Sequence, residues 1–123
     1  MRQAIGILSF LVVLSGCGTS KVVRGIEGSP IPVSKTTEQV ESAIETGAAS
    51  LGWKITDKKP GVMTADIQVR SHAATVEIKY DKNSYSINHK ASTNLNYDPQ
   101  RGTIHRNFNR WVAKLNQAIQ QKL

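Results

Sequence analysis

Apolar residues repeat at helical spacing between residues 37 and 51, and again near the end of the chain. Thr36 precedes the first segment, and Gln39 three residues later completes the sequence of a capping box. The second segment, Thr103 to Leu123, has the strongest periodicity of the chain. Its apolar positions are Ile104, Phe108, Trp111, Val112, Leu115, Ile119 and Leu123. The pattern predicts a helix over each segment, with Trp111 in the core.

Between these helices, apolar and polar residues alternate in four short segments separated by turns. The segments are 53–56, 63–70, 75–80 and 85–90. Short connections between alternating segments favour antiparallel neighbours, with one apolar face and one polar face. The sequence therefore predicts an α+β fold of order α-β-β-β-β-α in a single domain over residues 36–123. We expect a two-layer sandwich in which the N- and C-terminal helices cover one face of a four-stranded antiparallel meander.

The first sixteen residues have the pattern of a signal peptide. Arg2 supplies a positive start, and an apolar run over residues 4–14 follows it. This run is well short of the roughly 20 apolar residues that span a bilayer. It ends in Leu14-Ser15-Gly16-Cys17, which resembles the lipobox of bacterial lipoproteins. The resemblance implies cleavage before Cys17, a thioether-linked diacylglycerol on its sulfur and acylation of the new amine.

Lipidation of Cys17 would attach the protein permanently to a membrane, because two or more acyl chains anchor stably. The alternative is an ordinary secretory signal followed by an incidental cysteine. Cys17 is the only cysteine, so the chain has no intramolecular disulfide. Gram-negative lipoproteins with aspartate after the lipidated cysteine commonly stay at the inner membrane. Gly18 stands there in this chain, so the resemblance implies the outer membrane, facing the periplasm.

Residues 17–35 are rich in glycine and proline, which discourage regular structure. We expect a lipidated cysteine followed by a flexible tether. A coil of roughly 17 residues would average about 20–25 Å end to end. The alternative is that Val22-Val23 and Ile26 pair as a short strand.

The net charge is basic. Arg2 leaves with the signal, so the 15 remaining basic residues exceed the nine acids by six. A basic surface often binds nucleic acid, but the inferred compartment argues against that partner. Anionic headgroups, lipopolysaccharide phosphates or acidic proteins are better counterparts. The alternative is that the charge serves solubility alone.

Catalytic and metal-binding patterns are absent from the sequence. The three histidines, His72, His89 and His105, fall on a turn, a strand end and a helix, without metal-ligand spacing. No Gly-x-Ser-x-Gly motif is present. Asp66 and Glu77 alternate with basic residues along their strands, which favours ion pairing. The sequence therefore predicts a non-enzymatic protein without metal or cofactor.

The body also resembles small uncharacterised lipoproteins of proteobacteria. The matching features are Leu51-Gly52-Trp53, Ser92 with Asn94-Leu95, and the segment from His105 to Trp111. This resemblance implies no known activity.

The longest polar connection, residues 92–102, leads to the N-terminus of the last helix and carries the candidate binding site. Basic residues cluster near this helix N-terminus, although the helix dipole favours acidic residues there. Such a departure from the usual local preference suggests a functional role. We expect this corner to bind an acidic group through Asn94, Tyr97, Arg101, His105 and Arg106. The alternative is that Asp98 offsets the cations while the asparagines cap turns.

These features predict a membrane-anchored, non-enzymatic binding or assembly module with an envelope protein partner. The alternative is a binder of anionic lipid or envelope glycan that uses a basic surface. The sequence specifies no oligomeric state.

Overall fold

The computed structural model describes residues 19–123, so the predicted signal segment and Cys17 lie outside the described residues. The described chain forms seven strands and two helices. In chain order these are β1 (Ser20–Val22), β2 (Ile26–Pro30), α1 (Thr37–Ser50), β3 (Lys54–Lys59), β4 (Val62–Val69), β5 (His72–Tyr80), β6 (Ser84–Thr93), β7 (Thr103–His105) and α2 (Arg106–Lys122). The fold class is α+β.

Five strands form one antiparallel sheet in the order β2-β6-β5-β4-β3. The predicted meander is present as β3 to β6, but the sheet is not limited to four strands. β2 adds a fifth strand beside β6, and β1 pairs with β7 as a separate two-stranded sheet. One end of the large sheet carries the β4–β5 turn. The opposite end carries the β3–β4 and β5–β6 turns.

Helix α1 ends one residue before the predicted boundary, and its capping box is confirmed. The Thr36 hydroxyl accepts from the Gln39 amide at 3.1 Å, and the Gln39 side chain accepts from the Thr36 amide at 2.9 Å. These bonds satisfy two backbone donors that a helix start would otherwise leave free.

One hydrophobic core joins both helices to one set of alternating strand residues. Phe108, Val112, Leu115 and Ile119 supply the buried stripe of α2. The two helices approach closely at Gly47, where an added Cβ would lie 2.9 Å from the Ile119 backbone nitrogen. Glycine at this position therefore allows α1 and α2 to pack backbone against backbone.

The expected flexible tether over residues 17–35 is wrong for the segment from Ser20 to Pro30. This segment forms β1 and β2, which supports the alternative of short strand pairing. The reason is a close approach that glycine permits. A Cβ at Gly25 would lie 2.5 Å from the Ile87 carbonyl oxygen, so only glycine lets the segment run this near β6.

The last helix begins at Arg106, three residues later than predicted. Thr103 to His105 are extended because they pair with β1. The His105 amide also donates to the Leu95 carbonyl at 2.7 Å. Ile104 is buried, as predicted, but it belongs to β7 and not to the helix.

Candidate functional site

The predicted corner is built around a turn organised by Asp98. The Asp98 carboxylate accepts hydrogen bonds from the amides of Gln100 and Arg101 at 3.0 and 3.1 Å. The Arg101 side chain is 82% exposed, and its Nε lies 3.7 Å from the same carboxylate. Such an exposed pair contributes little to stability. Asp98 therefore shapes the turn while the Arg101 guanidinium still faces solvent.

The first amides of α2 already have partners. His105 caps the helix, with Nδ1 accepting from the Asn107 amide at 3.1 Å. The Arg106 amide donates to the Thr19 carbonyl at 2.9 Å. These two amides are therefore not free to bind an anion. The Arg106 side chain, by contrast, is exposed.

Asn94 and Tyr97 make contacts within the fold. The Asn94 side-chain amide donates to the Ser71 hydroxyl at 3.0 Å, and the Asn94 backbone carbonyl lies 2.7 Å from His72 Nδ1. The Tyr97 ring lies 4.1 Å from the ring of His89 and is 42% exposed overall. Both residues thus fix the β6–β7 connection against neighbouring strands.

Two of the three histidines lie close together, which the sequence did not suggest. The rings of His72 and His105 are stacked at 6.3 Å with 22° between their planes. His89 packs instead between Tyr97 and Phe108, and burial lowers its pKa below the ordinary value. Within residues 19–123, no three side chains of His, Cys, Asp or Glu are grouped so as to hold a metal ion.

Trp111 is not at the centre of the core, contrary to the prediction. It is only partly buried, whereas its neighbour Val112 is 1% exposed. The buried stripe of α2 runs through positions 108, 112, 115 and 119, so Trp111 falls on its margin. One side of the indole consequently borders a surface depression.

This depression has an apolar floor. It has a volume of about 200 Å³ and is lined by Leu51, Trp53, Ile67, Val69, Trp111 and Lys114. Leu51 and Val69 are each 38% exposed, although both are large apolar side chains. Apolar residues exposed together in a concave site are typical of ligand-binding surfaces.

A second depression of about 370 Å³ adjoins the first. Its lining residues are Val69, Arg70, His72, Asn107, Arg110, Trp111 and Lys114. Because Val69, Trp111 and Lys114 border both, we treat the two as one surface, the Trp111 groove. Its rim is cationic, and none of the described residues that line it is acidic.

Arg70 occupies the β4–β5 turn with a φ of 59°. A positive φ is uncommon for a bulky non-glycine residue, and strain of this kind clusters at functional sites. The turn places Arg70 at the rim of the groove, opposite Arg110 and Lys114 of α2. The arrangement suits a ligand that carries both an acidic group and an apolar group.

Sequence reasoning missed this groove because Trp111 was assigned to the core. The signal available was the helical repeat Arg110, Trp111 and Lys114, which sets two cations one turn apart beside an indole. Cations beside aromatic faces are a common recognition surface.

No protein-family model matches the chain, and no curated protein or solved structure is significantly similar to it. Neither helix between residues 19 and 123 has the length and apolar character needed to cross a bilayer.

Proposed function

We propose that this chain is a lipid-anchored protein of the bacterial envelope that acts, without catalysis, as a binding module for an acidic protein partner. Cys17 carries the lipid, and Gly18 after it favours the outer membrane, facing the periplasm. The Trp111 groove receives the partner.

The composition of the Trp111 groove carries this proposal. Three cations, Arg70, Arg110 and Lys114, surround an apolar floor without an acidic residue among the described lining residues. An acidic peptide with an apolar side chain would pair with the rim and bury its apolar group against Trp111. Aromatic and arginine side chains are the usual anchors of protein interfaces.

Binding is favoured over catalysis by the same lining. Its described residues include no carboxylate, hydroxyl or thiol that would act as a nucleophile or as an acid–base pair. His72 is the one imidazole there, and its Nδ1 is engaged with the Asn94 carbonyl, so it donates to that oxygen.

The anchor is tested by Cys17→Ser. We expect loss of acyl mass and retention of the unprocessed signal segment, as the resemblance to lipoproteins implies. Wild-type protein that is soluble in the periplasm, with no acyl mass on Cys17, would contradict the anchor.

The groove is tested by cross-linking in intact cells, with a photoreactive amino acid at Leu51. Wild-type protein should yield a specific protein adduct, and Arg110→Glu with Lys114→Glu should abolish it. The matched control is Lys59→Glu with Lys82→Glu, which changes the charge equally at the opposite end of the sheet. An adduct that survives in the first variant, or is lost equally in the control, would exclude the groove.

A second candidate function is binding of an anionic lipid or envelope glycan. One observation favours it: His72 lines the groove and stacks on His105, which pairs with Ser20 near the proposed anchor. The purified lipidated protein would then retain anionic lipid or glycan by mass spectrometry, and the Arg110→Glu, Lys114→Glu variant would not.

A further inference from the structure

The folded domain begins almost immediately after the proposed lipid-bearing residue. The Thr19 carbonyl accepts from the Arg106 amide at 2.9 Å, and Ser20 is paired with His105. The Val23 amide donates to the Gly102 carbonyl at 2.9 Å. The segment is therefore held against β7 and the start of α2 from its first described residue.

Asn109 of α2 fixes the same segment a second time. Its Oδ1 accepts from the Arg24 amide at 2.9 Å, and its Nδ2 donates to the Val22 carbonyl at 2.9 Å. One side chain thereby satisfies two backbone groups that no strand partner reaches. Together with the close approach at Gly25, these bonds leave little of the expected tether.

The chain between Cys17 and the folded domain is short. Two residue steps separate Cys17 from Thr19, and a fully extended chain covers at most about 7 Å in that length. A lipid on Cys17 would thus hold this end of the domain at the headgroups. The distance is comparable with the Debye length of about 8 Å at physiological ionic strength, so the charge of Arg106, whose amide is bonded to Thr19, acts on the membrane surface.

The surface at this end is cationic. We call it the anchor end and define it by five exposed residues: Lys21, Val22, Arg24, Arg101 and Arg106. Four of them are basic, and Val22 is 61% exposed despite being apolar. Asp98 is the acid within this patch, and its carboxylate is already engaged by Arg101 and by two backbone amides.

We infer that the anchor end lies against the anionic headgroups of the membrane that holds Cys17, so that the domain has a fixed orientation on the bilayer. This inference rests on the proposed lipidation of Cys17. It accounts for Arg106 in the first turn of α2, where the dipole alone would favour acids. Membrane phosphates supply the negative charge that balances the cations beyond the one paired with Asp98.

The short chain between Cys17 and Thr19 favours a lipid surface as the partner of the anchor end. About 7 Å of chain leaves no room for a folded partner between this end and the bilayer. Exposed basic residues near a membrane strengthen attachment by about fivefold each. The Trp111 groove, linked to this end through His72 and His105, would then open beside the membrane.

The test uses the full lipidated protein in vesicles of phosphatidylcholine, with or without phosphatidylglycerol. Cys17 is the only cysteine, so Gln100→Cys or Lys82→Cys adds a single free thiol for a nitroxide label. Position 100 lies at the anchor end, and position 82 lies at the opposite end of the sheet. Accessibility to a water-soluble relaxation agent reports which end faces the bilayer.

We expect the label at position 100 to be shielded in vesicles that contain phosphatidylglycerol, and the label at position 82 to stay accessible. Arg101→Glu with Arg106→Glu should weaken the docked state at least 20-fold, by about fivefold for each cation removed. Lys59→Glu with Lys82→Glu is the matched charge control and should leave position 100 shielded. A melting curve of each variant verifies that it is folded.

Two failures are distinguishable because acyl mass on Cys17 is measured in the same sample. If the acyl mass is present and both labels are equally accessible, the fixed orientation is wrong while the anchor stands. If the acyl mass is absent from protein purified from its native membrane, the proposed anchor and the orientation both fail.

Discussion

The phenol of Tyr85 donates a hydrogen bond to the side-chain oxygen of Asn116 on α2. The same Asn116 oxygen accepts from the Ser29 hydroxyl at 2.8 Å, and Gln120 donates to Ser29 at 3.0 Å. Ser29 is 6% exposed, so this polar network is largely shielded from water. It joins β2, β6 and α2 at the far end of the N-terminal segment.

Replacing Asn116 should therefore loosen β2 from the domain. Asn116→Ala leaves the Ser29 hydroxyl without its acceptor and leaves Tyr85 only its longer bond, of 3.3 Å, to the backbone carbonyl at position 116. The loss should cost about 1–3 kcal/mol. Urea unfolding measures the loss, and amide exchange should rise in residues 26–30. The exposed neighbour provides the control, since Gln117→Ala should change stability by less than about 0.5 kcal/mol. Unchanged exchange in β2 would mean that the network does not hold the strand.

A second pair of substitutions distinguishes a core position of α2 from a groove position by their effects on stability. Phe108 is fully buried, so Phe108→Ala should destabilise by about 3–5 kcal/mol. Trp111 is partly buried, so Trp111→Ala removes less apolar area from water and should cost about 1–2 kcal/mol.

Only the Trp111 variant is expected to stay well folded and yet lose the cross-link described for the groove. Thermal and urea melts give the ranking. Equal losses of stability for the two variants would place Trp111 back in the core.

Most of the large sheet and both helices could be predicted from local patterns. The capping box at Thr36 and the period-two alternation each depend on neighbouring residues, so the sequence alone displays them. β1 and β2 depend on partners far along the chain. Asn109 and Asn116 bind segments more than 80 residues earlier, and glycines and prolines there were interpreted only as breakers.

The candidate site was likewise predictable only where its residues are close together in the sequence. Arg101, His105 and Arg106 are near neighbours in sequence, so their cluster was visible. The Trp111 groove brings Val69, at the end of β4, and Arg70, in the turn that follows, against α2 about 40 residues later. Nothing in the local pattern pairs these segments. The periodicity also predicted correctly which side of α2 carries Trp111. It did not show that Trp111 lies at the edge of the buried stripe.

A third prediction concerns alkaline pH. The Tyr80 hydroxyl donates to Glu41 Oε2 at 2.6 Å. Burial, followed by this bond to a carboxylate, raises the pKa of Tyr80 to about 12. Because the folded-state pKa lies above the ordinary value of 10.0, the contribution to stability is complete below pH 10 and is lost as the pH rises towards 12.

Burial also raises the pKa of Tyr85, so phenolate absorbance should show late-titrating tyrosines whose combined amplitude Tyr80→Phe reduces. Urea unfolding of the variant should also lose less stability over the same alkaline window than the wild type. Tyr97→Phe is the matched control and should retain the late transition. If the late amplitude in Tyr80→Phe equals that of the wild type, the late transition does not include Tyr80.

The last prediction concerns the mildly acidic range and His89. The imidazole lies 4.1 Å from the Tyr97 ring and 5.2 Å from the Phe108 ring, with Nε2 3.0 Å from the Ser92 hydroxyl. Burial lowers the pKa of His89 below 6.5, because a charged ring is poorly solvated there. The unfolded chain therefore binds this proton first as the pH falls, and the free energy of unfolding decreases below about pH 6.5.

His89→Gln should flatten this decrease, even if the variant is less stable than the wild type at neutral pH. The comparison is the slope of unfolding free energy against pH, measured by urea unfolding between about pH 7 and 5. NMR titration of the ring protons checks the cause directly, since the His89 midpoint should lie below that of an unfolded peptide. Gln117→Ala, on the exposed side of α2, keeps His89 in place and should retain the wild-type slope. A His89→Gln slope equal to that of the wild type would assign the acid sensitivity to other groups and remove His89 as its source.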